Sequence, residues 1–485
     1  MAWLCTLAAC SVPVETFTPV DNTPMGDNDY LKASNTNPGD HFGLGIALTP
    51  DGSVLIVGAN TEASAITGDP TNNDAQGAGA AYAFIRSNGT WIQDSYIKAS
   101  NPGLSDEFGL HVALSRDGST LAIGAYHEAS GAMGIDGNQL DDSKAKSGAV
   151  YVFRRTAGAW TQEAYIKASN PDIGDFFGWV VALSSDGSTL AVGARHEDSN
   201  SKLINSGEIN GSATDAGAVY VFTRQGTVWT QQAYIKSTTT ASYQELGRSV
   251  ALSADGSLLA AGAPGDSSSQ GAVFVFARAG TVWTQQAALK ASNAEPGDQF
   301  GEQISLTPDG AQLAVAAVGE DSAATGAGGD KTDNSAAESG AVYMFARSSG
   351  TWNETAYLKA SNAEAGDSFG IRVALSDDGS VLAVAAPAEA SAAKGINGNE
   401  TDNAILDAGA VYVFTRDPAW SQRSYVKASN TDSDDRFGEG MGLSGDGKTL
   451  VVGAWQEDGA STGVDGDQTS NGAPDSGAAY VFTSF

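Results

Sequence analysis

Short apolar stretches alternate with polar turns along almost the whole chain. In residues 108–168 the apolar positions recur mainly at every second residue, which is typical of half-buried β-strands. An Asp-Gly pair, Asp117–Gly118, separates the first two stretches, and such a pair between apolar runs signals a hairpin because glycine accepts the positive φ that the turn requires. Helical spacing is nowhere sustained. The pattern predicts four short strands in this unit, at 108–115, 119–125, 149–153 and 160–168.

This four-strand unit occurs seven times. Its fourth-strand stretch begins at Tyr30, Tyr96, Tyr165, Tyr234, Ala288, Tyr357 and Tyr425. The first copy, Tyr30–Ser34, stands alone at the start, whereas the chain stops after a third strand, Gly477–Phe485. The two ends therefore complete one shared unit, which predicts that residues 30–485 form an all-β, seven-bladed β-propeller of four-stranded blades, its ring closed by the N-terminal strand. An open solenoid would leave the two partial units unexplained.

A Phe-Gly pair opens most units and a Gly-Ala pair follows about fifteen residues later, as in Phe108-Gly109 and Gly124-Ala125. This spacing resembles the FG-GAP repeat of integrin α-subunit propellers and related bacterial surface proteins, and the resemblance covers residues 30–485. It implies an extracellular binding module, although a fold does not name a ligand. The integrin-like pattern has a calcium loop between the first and second strands. Here that position is only a tight turn, such as Arg116-Asp-Gly118, which cannot supply the six to eight oxygens of calcium.

Acidic and amide side chains gather instead in the loop between the second and third strands. The candidate calcium ligands in three of these loops are Asp136, Asn138 and Asp141, then Asn397, Asn399 and Asp402, then Asp465 and Asp467. Glycine among alternating Asp and Asn oxygens suits a hard cation. The same residue types also favour turns and cap backbone amides, so a Ca²⁺ site and a purely structural loop both remain open. An acid also follows every Gly-Ala position, from Glu62 to Glu457.

The net charge of the protein limits its possible partners, and the position of its cysteines indicates its location. Acidic residues outnumber basic ones 57 to 26, for a net charge of -31, which disfavours nucleic acid and anionic lipid surfaces. Leu7-Ala-Ala-Cys10 resembles the lipobox of bacterial lipoproteins, which implies a truncated signal at residues 1–10, lipidation of Cys10 and a tether at 11–29. The expected location is the bacterial cell envelope, lipid-anchored or secreted. The alternative is a chance match in an unprocessed tail.

The sequence favours binding over catalysis. Six tryptophans at equivalent positions predict packing between blades, whereas Trp179 and Trp455 lie outside that register and are the better ligand candidates. We expect a monomeric surface binding or adhesion module that presents its acidic, loop-rich rim to a protein or glycan. The alternatives are a lyase or hydrolase for extracellular polysaccharide and a structural surface protein. An enzyme would need one irregular unit that gathers Lys, Arg, His or Tyr with acids.

Overall fold

The computed structural model describes residues 28–485, which form seven four-stranded antiparallel sheets. The first strand is β1 (Asn28–Leu31). Blade 1 consists of β2 (Phe42–Leu48), β3 (Val54–Ala59), β4 (Ala80–Ser87) and β5 (Thr90–Ile97). Blade 2 consists of β6 (Val112–Leu114), β7 (Thr120–Ala125), β8 (Ala149–Thr156) and β9 (Ala159–Ile166). Blade 3 consists of β10 (Phe177–Leu183), β11 (Thr189–Ala194), β12 (Ala218–Gln225) and β13 (Val228–Ile235).

The remaining four blades follow the same order. Blade 4 consists of β14 (Val250–Leu252), β15 (Leu258–Ala263), β16 (Ala272–Ala279) and β17 (Val282–Leu289), with a short helical turn α1 (Asp266–Ser269) before β16. Blade 5 consists of β18 (Phe300–Leu306), β19 (Gln312–Ala317), β20 (Ala341–Ser348) and β21 (Thr351–Leu358). Blade 6 consists of β22 (Arg372–Leu375), β23 (Val381–Ala386), β24 (Ala410–Arg416) and β25 (Trp420–Val426). Blade 7 consists of β26 (Gly440–Leu443), β27 (Leu450–Ala454), β28 (Ala478–Phe482) and β1.

The N-terminal strand closes the ring, as the two partial units predicted. β1 pairs antiparallel with β28, with Tyr30 opposite Tyr480 and Leu31 opposite Ala479. β1 begins at Asn28, two residues inside the predicted tether. Cys10 and the rest of the predicted signal and tether lie outside the described residues. The seven-bladed propeller is thus confirmed.

The first strands of neighbouring blades contact one another, which places them innermost around a central channel. Each hydrophobic core lies between two adjacent blades; one, for example, joins Ile56 and Ala81 of blade 1 to Phe108 and Leu121 of blade 2. The second strands are buried along their whole length in most blades, β7 among them, because they lie between two neighbouring sheets. The described residues contain no helix long and apolar enough to cross a membrane.

The recurring Phe-Gly and Gly-Ala pairs have a common physical cause. Gly109 has φ +106, and its carbonyl oxygen lies where a Cβ on Gly58 of the preceding blade would be, at 1.9 Å. Adjacent blades therefore approach so closely that neither glycine tolerates a side chain. This irregular entry also explains why β6 starts at Val112, four residues after the predicted start of the strand.

Candidate functional site

Every blade contains an ion pair between the lysine that follows its fourth strand and the acid that follows its second strand. In blade 2, Lys167 Nζ lies 2.8 Å from Glu128 Oε2, and the two side chains are 0% and 1% exposed. The hydroxyl of Tyr165 donates to Glu128 Oε1 at 2.9 Å. The seven pairs are Lys98–Glu62, Lys167–Glu128, Lys236–Glu197, Lys290–Asp266, Lys359–Glu320, Lys427–Glu389 and Lys32–Glu457.

The same carboxylates also hold adjacent blades together. Asn101, which follows the last strand of blade 1, donates from Nδ2 to Glu128 Oε1 at 3.4 Å, and Tyr151 donates to Asn101 Oδ1 at 2.7 Å. The backbone amide of Ser130 donates to the other oxygen of Glu128 at 3.1 Å. Both oxygens of this acid are therefore occupied. The acids that recur after the second strands are structural in these blades, because buried carboxylates persist only when paired and hydrogen-bonded.

Blade 4 departs from this network at five positions together. Most other blades have Glu, Tyr, Tyr, Asn and Asp at these positions, where blade 4 has, in the same order, Asp266, Phe274, Ala288, Thr239 and Gln244. Gln244 Nε2 donates to Asp266 Oδ1 at 2.8 Å, and Lys290 is 40% exposed rather than buried. The loop between the second and third strands is also short here, running only from Pro264 to Gly271. Blade 4 therefore presents an open, low rim.

The first predicted calcium ligand in each of the three loops lies against the outer edge of its blade. Asp136, at φ 54, donates its amide to the carbonyl of Tyr165 at 2.8 Å, and its Oδ1 accepts the amide of Tyr165 at 3.0 Å. Asn397 pairs with Tyr425 in the same way, and Asp465 with Tyr30. These side chains complete the hydrogen bonds of an edge strand, which protects the edge.

The other predicted ligands bond within their own loops. Oδ1 of Asn138, Asn399 and Asp467 accepts the backbone amide two residues later, at 3.1, 3.2 and 2.9 Å. Asp402 does the same for Ala404, and the carbonyl of Asp141 accepts the amide of Gly131. Within residues 28–485, no group of three or more His, Cys, Asp or Glu side chains is placed to hold a metal. Calcium in these loops stays a prediction.

The side chains around the mouth of the central channel differ from blade to blade, unlike the buried network, which most blades share. We define the channel mouth by three positions in each blade. The residue before the first-strand Phe-Gly or Leu-Gly pair is His41, Glu107, Phe176, Glu245, Gln299, Ser368 or Arg436. The residue after that pair is Leu44, Leu110, Trp179, Arg248, Glu302, Ile371 or Glu439. The residue after the second strand is Asn60, Tyr126, Arg195, Pro264, Val318, Pro387 or Trp455.

The channel mouth concentrates aromatic and cationic side chains in blades 2 to 4. The guanidinium of Arg195 lies 3.8 Å from the centre of the Trp179 ring, and that of Arg248 lies 4.7 Å from it. Tyr126 packs edge-on against the same ring at 5.0 Å. Contacts this close are attractive cation–π interactions. Trp179 is thereby held rigidly, with Nε1 making no hydrogen bond to the described residues.

A second group at the channel mouth is built around Glu107. Its carboxylate accepts hydrogen bonds from the hydroxyl of Tyr126 at 2.6 Å and from Asn60 at 3.0 Å, and Nδ1 of His127 lies 3.1 Å away. Burial alone would raise the pKa of Glu107, but the donors His127, Tyr126 and Asn60 outweigh it and hold that pKa below its usual value. Glu107 is therefore an ionised orienting group.

The cations of the channel mouth are set beside carboxylates. Arg195 lies 3.5 Å from Glu245, and Arg248 is hydrogen-bonded to Glu302. Burial and the acid Glu302 raise the pKa of Glu245, with Arg195 and Arg248 acting against the shift. A cavity of about 240 Å³ opens between these four side chains, next to the short loop of blade 4.

Sequence reasoning found only part of this site. It singled out Trp179 and Trp455, and both lie at the channel mouth, where Trp455 packs edge-on against His41 at 4.5 Å. It missed Arg195, Arg248 and the Glu107 group. The signal that could have found them is a position-by-position comparison of the seven units, since these positions lack a repeat.

The six tryptophans in register pack between blades, as predicted. Trp229 of blade 3 is buried, and its Nε1 donates to Glu163 of blade 2 at 2.9 Å. Trp283 of blade 4 likewise donates to Gln232 of blade 3 at 2.9 Å. These rings are part of the scaffold rather than of a ligand platform.

Comparison with known proteins identifies the repeat. A family model described as FG-GAP repeat matches residues 91–153, 160–222, 229–276, 283–345, 352–414 and 420–482. No curated protein matches the chain. Among solved structures, a chain of Kuenenia stuttgartiensis hydrazine synthase is similar, with 13% identity, a TM-score of 0.49, and coverage of 86% of this chain and 92% of that one. A similarity of this size carries no argument about function.

Proposed function

The chain belongs to the FG-GAP repeat family, and we propose that it is a binding module that receives a protein or glycan ligand at its channel mouth. The observation that carries the proposal is the contrast between positions. The buried networks repeat almost unchanged around the ring, whereas the channel mouth gathers Trp179, Arg195 and Arg248 in neighbouring blades. Elaborated residues on one face of a rigid scaffold are where binding usually resides.

Residue composition supports the same conclusion. Tryptophan, tyrosine and arginine are the residues that contribute most to binding energy at interfaces. Here all three types contact one another around Trp179, and the shortened loop of blade 4 leaves the adjacent cavity open. A ligand would meet a preorganised aromatic surface with cations beside it.

The test is a screen of residues 28–485 on protein and glycan arrays, followed by matched variants. Trp179→Leu installs the residue that blades 1 and 2 carry at this position, Leu44 and Leu110, so the scaffold should tolerate it. Binding should fall by about tenfold or more, as for a hot-spot residue. The control is Ile371→Leu at the equivalent position of blade 6. Equal loss in both variants, or in neither, would place the ligand elsewhere.

The proposal includes a location at the cell envelope, through lipidation of Cys10. Cys10→Ser, expressed behind a complete lipoprotein signal peptide, should move the protein from the membrane fraction to the soluble fraction. Unchanged partitioning would contradict the anchor without affecting the binding site.

A second candidate function is an enzyme acting on an extracellular polysaccharide, and the Glu107 group favours it. A histidine oriented by a carboxylate is the usual arrangement of a general base, and a tyrosine beside it can carry a proton. His127 and Tyr126 share Glu107 in this way. The check is incubation with acidic polysaccharides, following new reducing ends. Activity that His127→Gln abolishes would establish the enzyme; no activity would leave binding alone.

A further inference from the structure

In five blades the loop between the second and third strands lays a short segment along the outer edge of the fourth strand. In blade 2, the amide of Asp136 donates to the carbonyl of Tyr165 at 2.8 Å, and the amide of Lys167 donates to the carbonyl of Gly134 at 2.7 Å. The amides that donate to the fourth-strand tyrosine carbonyl in blades 3, 5, 6 and 7 belong to Asn205, Gly328, Asn397 and Asp465. The loop thereby acts as a short additional strand, which pairs an edge that the blade would otherwise expose.

Blade 1 lacks this covering segment because its loop is shorter. In blade 2 the hydroxyl of Ser130 donates to the carbonyl of Asn138 at 2.8 Å, and seven residues separate the two. In blade 1 the hydroxyl of Ser64 donates to the carbonyl of Asp69 at 2.7 Å, with only four residues between them. The two loops therefore align at both ends, and the three residues that blade 1 lacks correspond to Ile135-Asp-Gly137.

The outer edge of β5 is consequently open. On this edge the amide and carbonyl of Tyr96 and the amide of Lys98 have no hydrogen-bond partner within residues 28–485, whereas their counterparts in blade 2 are bonded to the loop. The loop of blade 1 reaches the edge through the hydroxyl of Thr67, which donates to the carbonyl of Ala99 at 2.9 Å. An unpaired strand edge is a template for pairing with another extended segment.

A cavity of about 340 Å³ lies beside this edge, and we call the edge and cavity together the blade 1 groove. β5 contributes Ser95, Tyr96 and Ile97 to the groove, and blade 2 contributes Phe153 and Trp160. Of the six tryptophans in register, Trp160 is the one that is not buried. The groove thus combines an apolar wall with free backbone donors and acceptors.

Other blades show which side chain fills this space. Ile135 of the covering segment packs against the hydrophobic cluster that contains Phe222 and Trp229 of blade 3. The residues that pack in the same way against the next clusters are Ile204 of blade 3 and Val464 of blade 7. No residue of the blade 1 loop belongs to the cluster between blades 1 and 2, and Ile66 of that loop is 48% exposed. The aliphatic occupant is therefore missing from this groove.

We propose that the blade 1 groove binds an extended segment of a partner protein in which an aliphatic residue is followed by asparagine. The aliphatic side chain fills the cavity, and the asparagine bonds the amide and carbonyl of Tyr96, as Ile396 and Asn397 do within blade 6. Free backbone groups in strand register select a polypeptide, which adds a strand to the sheet.

Charge selects asparagine over aspartate in a separate partner. Both residues occupy the equivalent position within this chain, as Asn397 and Asp136 show. A chain of net charge -31 repels the carboxylate of an incoming molecule, whereas an amide makes the same hydrogen bonds without that repulsion. The groove lies on the outer side of blades 1 and 2, so this interface is additional to the channel mouth.

The test is fluorescence anisotropy of the full chain with a labelled, uncharged peptide that contains Thr-Gly-Ile-Asn-Gly-Thr. Two control peptides are equally uncharged: one has serine in place of isoleucine, and the other has N-methylated asparagine. Serine should weaken binding by about tenfold or more, because the cavity loses its apolar occupant. N-methylation should weaken it by about fivefold, because the carbonyl of Tyr96 loses its donor.

Two loop insertions provide the matched variants. Inserting Ile-Asn-Gly between Gly68 and Asp69 restores the residues that blade 1 lacks, so its own loop should occupy the groove, raise the melting temperature and weaken peptide binding by about tenfold or more. Inserting Ser-Pro-Gly gives the same length, but serine does not fill the cavity and proline has no amide donor. That variant should bind the peptide as the parent does. Hydrogen exchange of Tyr96 and Lys98 amides should slow when the peptide is added to the parent.

Equal binding of the three peptides, no saturable binding by the full chain, or equal loss in both insertion variants would overturn the inference. Peptide binding that appears only after residues 11–27 are removed would also overturn it, because the N-terminal segment of this chain would then be the occupant. A dimer in sedimentation that the Ile-Asn-Gly insertion converts to a monomer would assign the groove to a second copy instead. None of these variants alters the channel mouth, so the proposed function fails or stands separately.

Discussion

Breaking the ion pair inside an ordinary blade should destabilise the protein far more than breaking its counterpart in blade 4. Lys167 and Glu128 are 0% and 1% exposed. Lys167→Met removes the ammonium group and leaves a carboxylate buried without a counter-charge, which costs about 3–5 kcal/mol of unfolding free energy. In blade 4, Lys290 is 40% exposed, and Gln244 and Ser267 still donate to the buried Asp266 when the ammonium group is removed, so Lys290→Met should cost only about 1.5 kcal/mol.

The measurement is urea unfolding followed by tryptophan fluorescence, with calorimetry as a second probe. The double variant Lys167→Met with Glu128→Gln provides an internal check. It removes both charges, so it should be less destabilised than the sum of the two single variants, because contacting residues are not additive. Equal losses of unfolding free energy for Lys167→Met and Lys290→Met, or strict additivity in the double variant, would refute burial as the cause of the difference between the two blades.

Three further predictions follow from the ring and its loops. Deleting residues 28–35 should lower the melting temperature far more than deleting 11–27, since only the former removes β1; equal melting temperatures would exclude closure through β1. Burial, with Glu128 adding, raises the pKa of Asp106 to about 7. The pKa of Asp106 is therefore higher in the folded state than in the unfolded state, where it is near 4. Its protonated form stabilises the fold below pH 4, and this stability is lost as the pH rises to 7. Asp106→Asn should therefore melt higher than the parent at pH 8 and alike at pH 4, in calorimetry; a lower melting temperature at pH 8 contradicts this. Calcium should raise the melting temperature more than sodium chloride of matched ionic strength does, because each site adds about 2.7 kcal/mol to the unfolding free energy at 100 times its dissociation constant. Replacing Asp136 with Asn and Asp141 with Ser should reduce the number of calcium ions bound in calorimetry; an unchanged number excludes this loop as a site.

The fold could be predicted because its signals are local and repeated. Period-two apolar stretches, Asp-Gly turns and the lone first copy at Tyr30–Ser34 together require a closed ring of seven units. The ion pairs could not be predicted from the sequence in the same way. Lys167 and Glu128 are 39 residues apart, and only the pairing of β7, β8 and β9 brings them together.

The loop residues show a different limit. Asp136 was predicted as a calcium ligand because Asp and Asn oxygens next to glycine suit a cation. In the structure its Oδ1 takes the amide of Tyr165. Both roles need a short side-chain oxygen close to the backbone, so the sequence pattern alone does not separate them. A calorimetric titration with calcium separates the two roles.

The departures of blade 4 are linked to one another and to the site. Aspartate is one methylene shorter than glutamate, so Asp266 cannot reach the hydroxyl and amide donors that surround Glu128 in blade 2. A tyrosine or asparagine left in place would then have a buried polar group without a partner, which is costly. Phe274, Ala288 and Thr239 remove those groups. The shortened loop of the same blade borders the cavity between Arg195 and Arg248. The one blade that departs from the repeated network therefore borders the cavity at which we propose that a ligand binds.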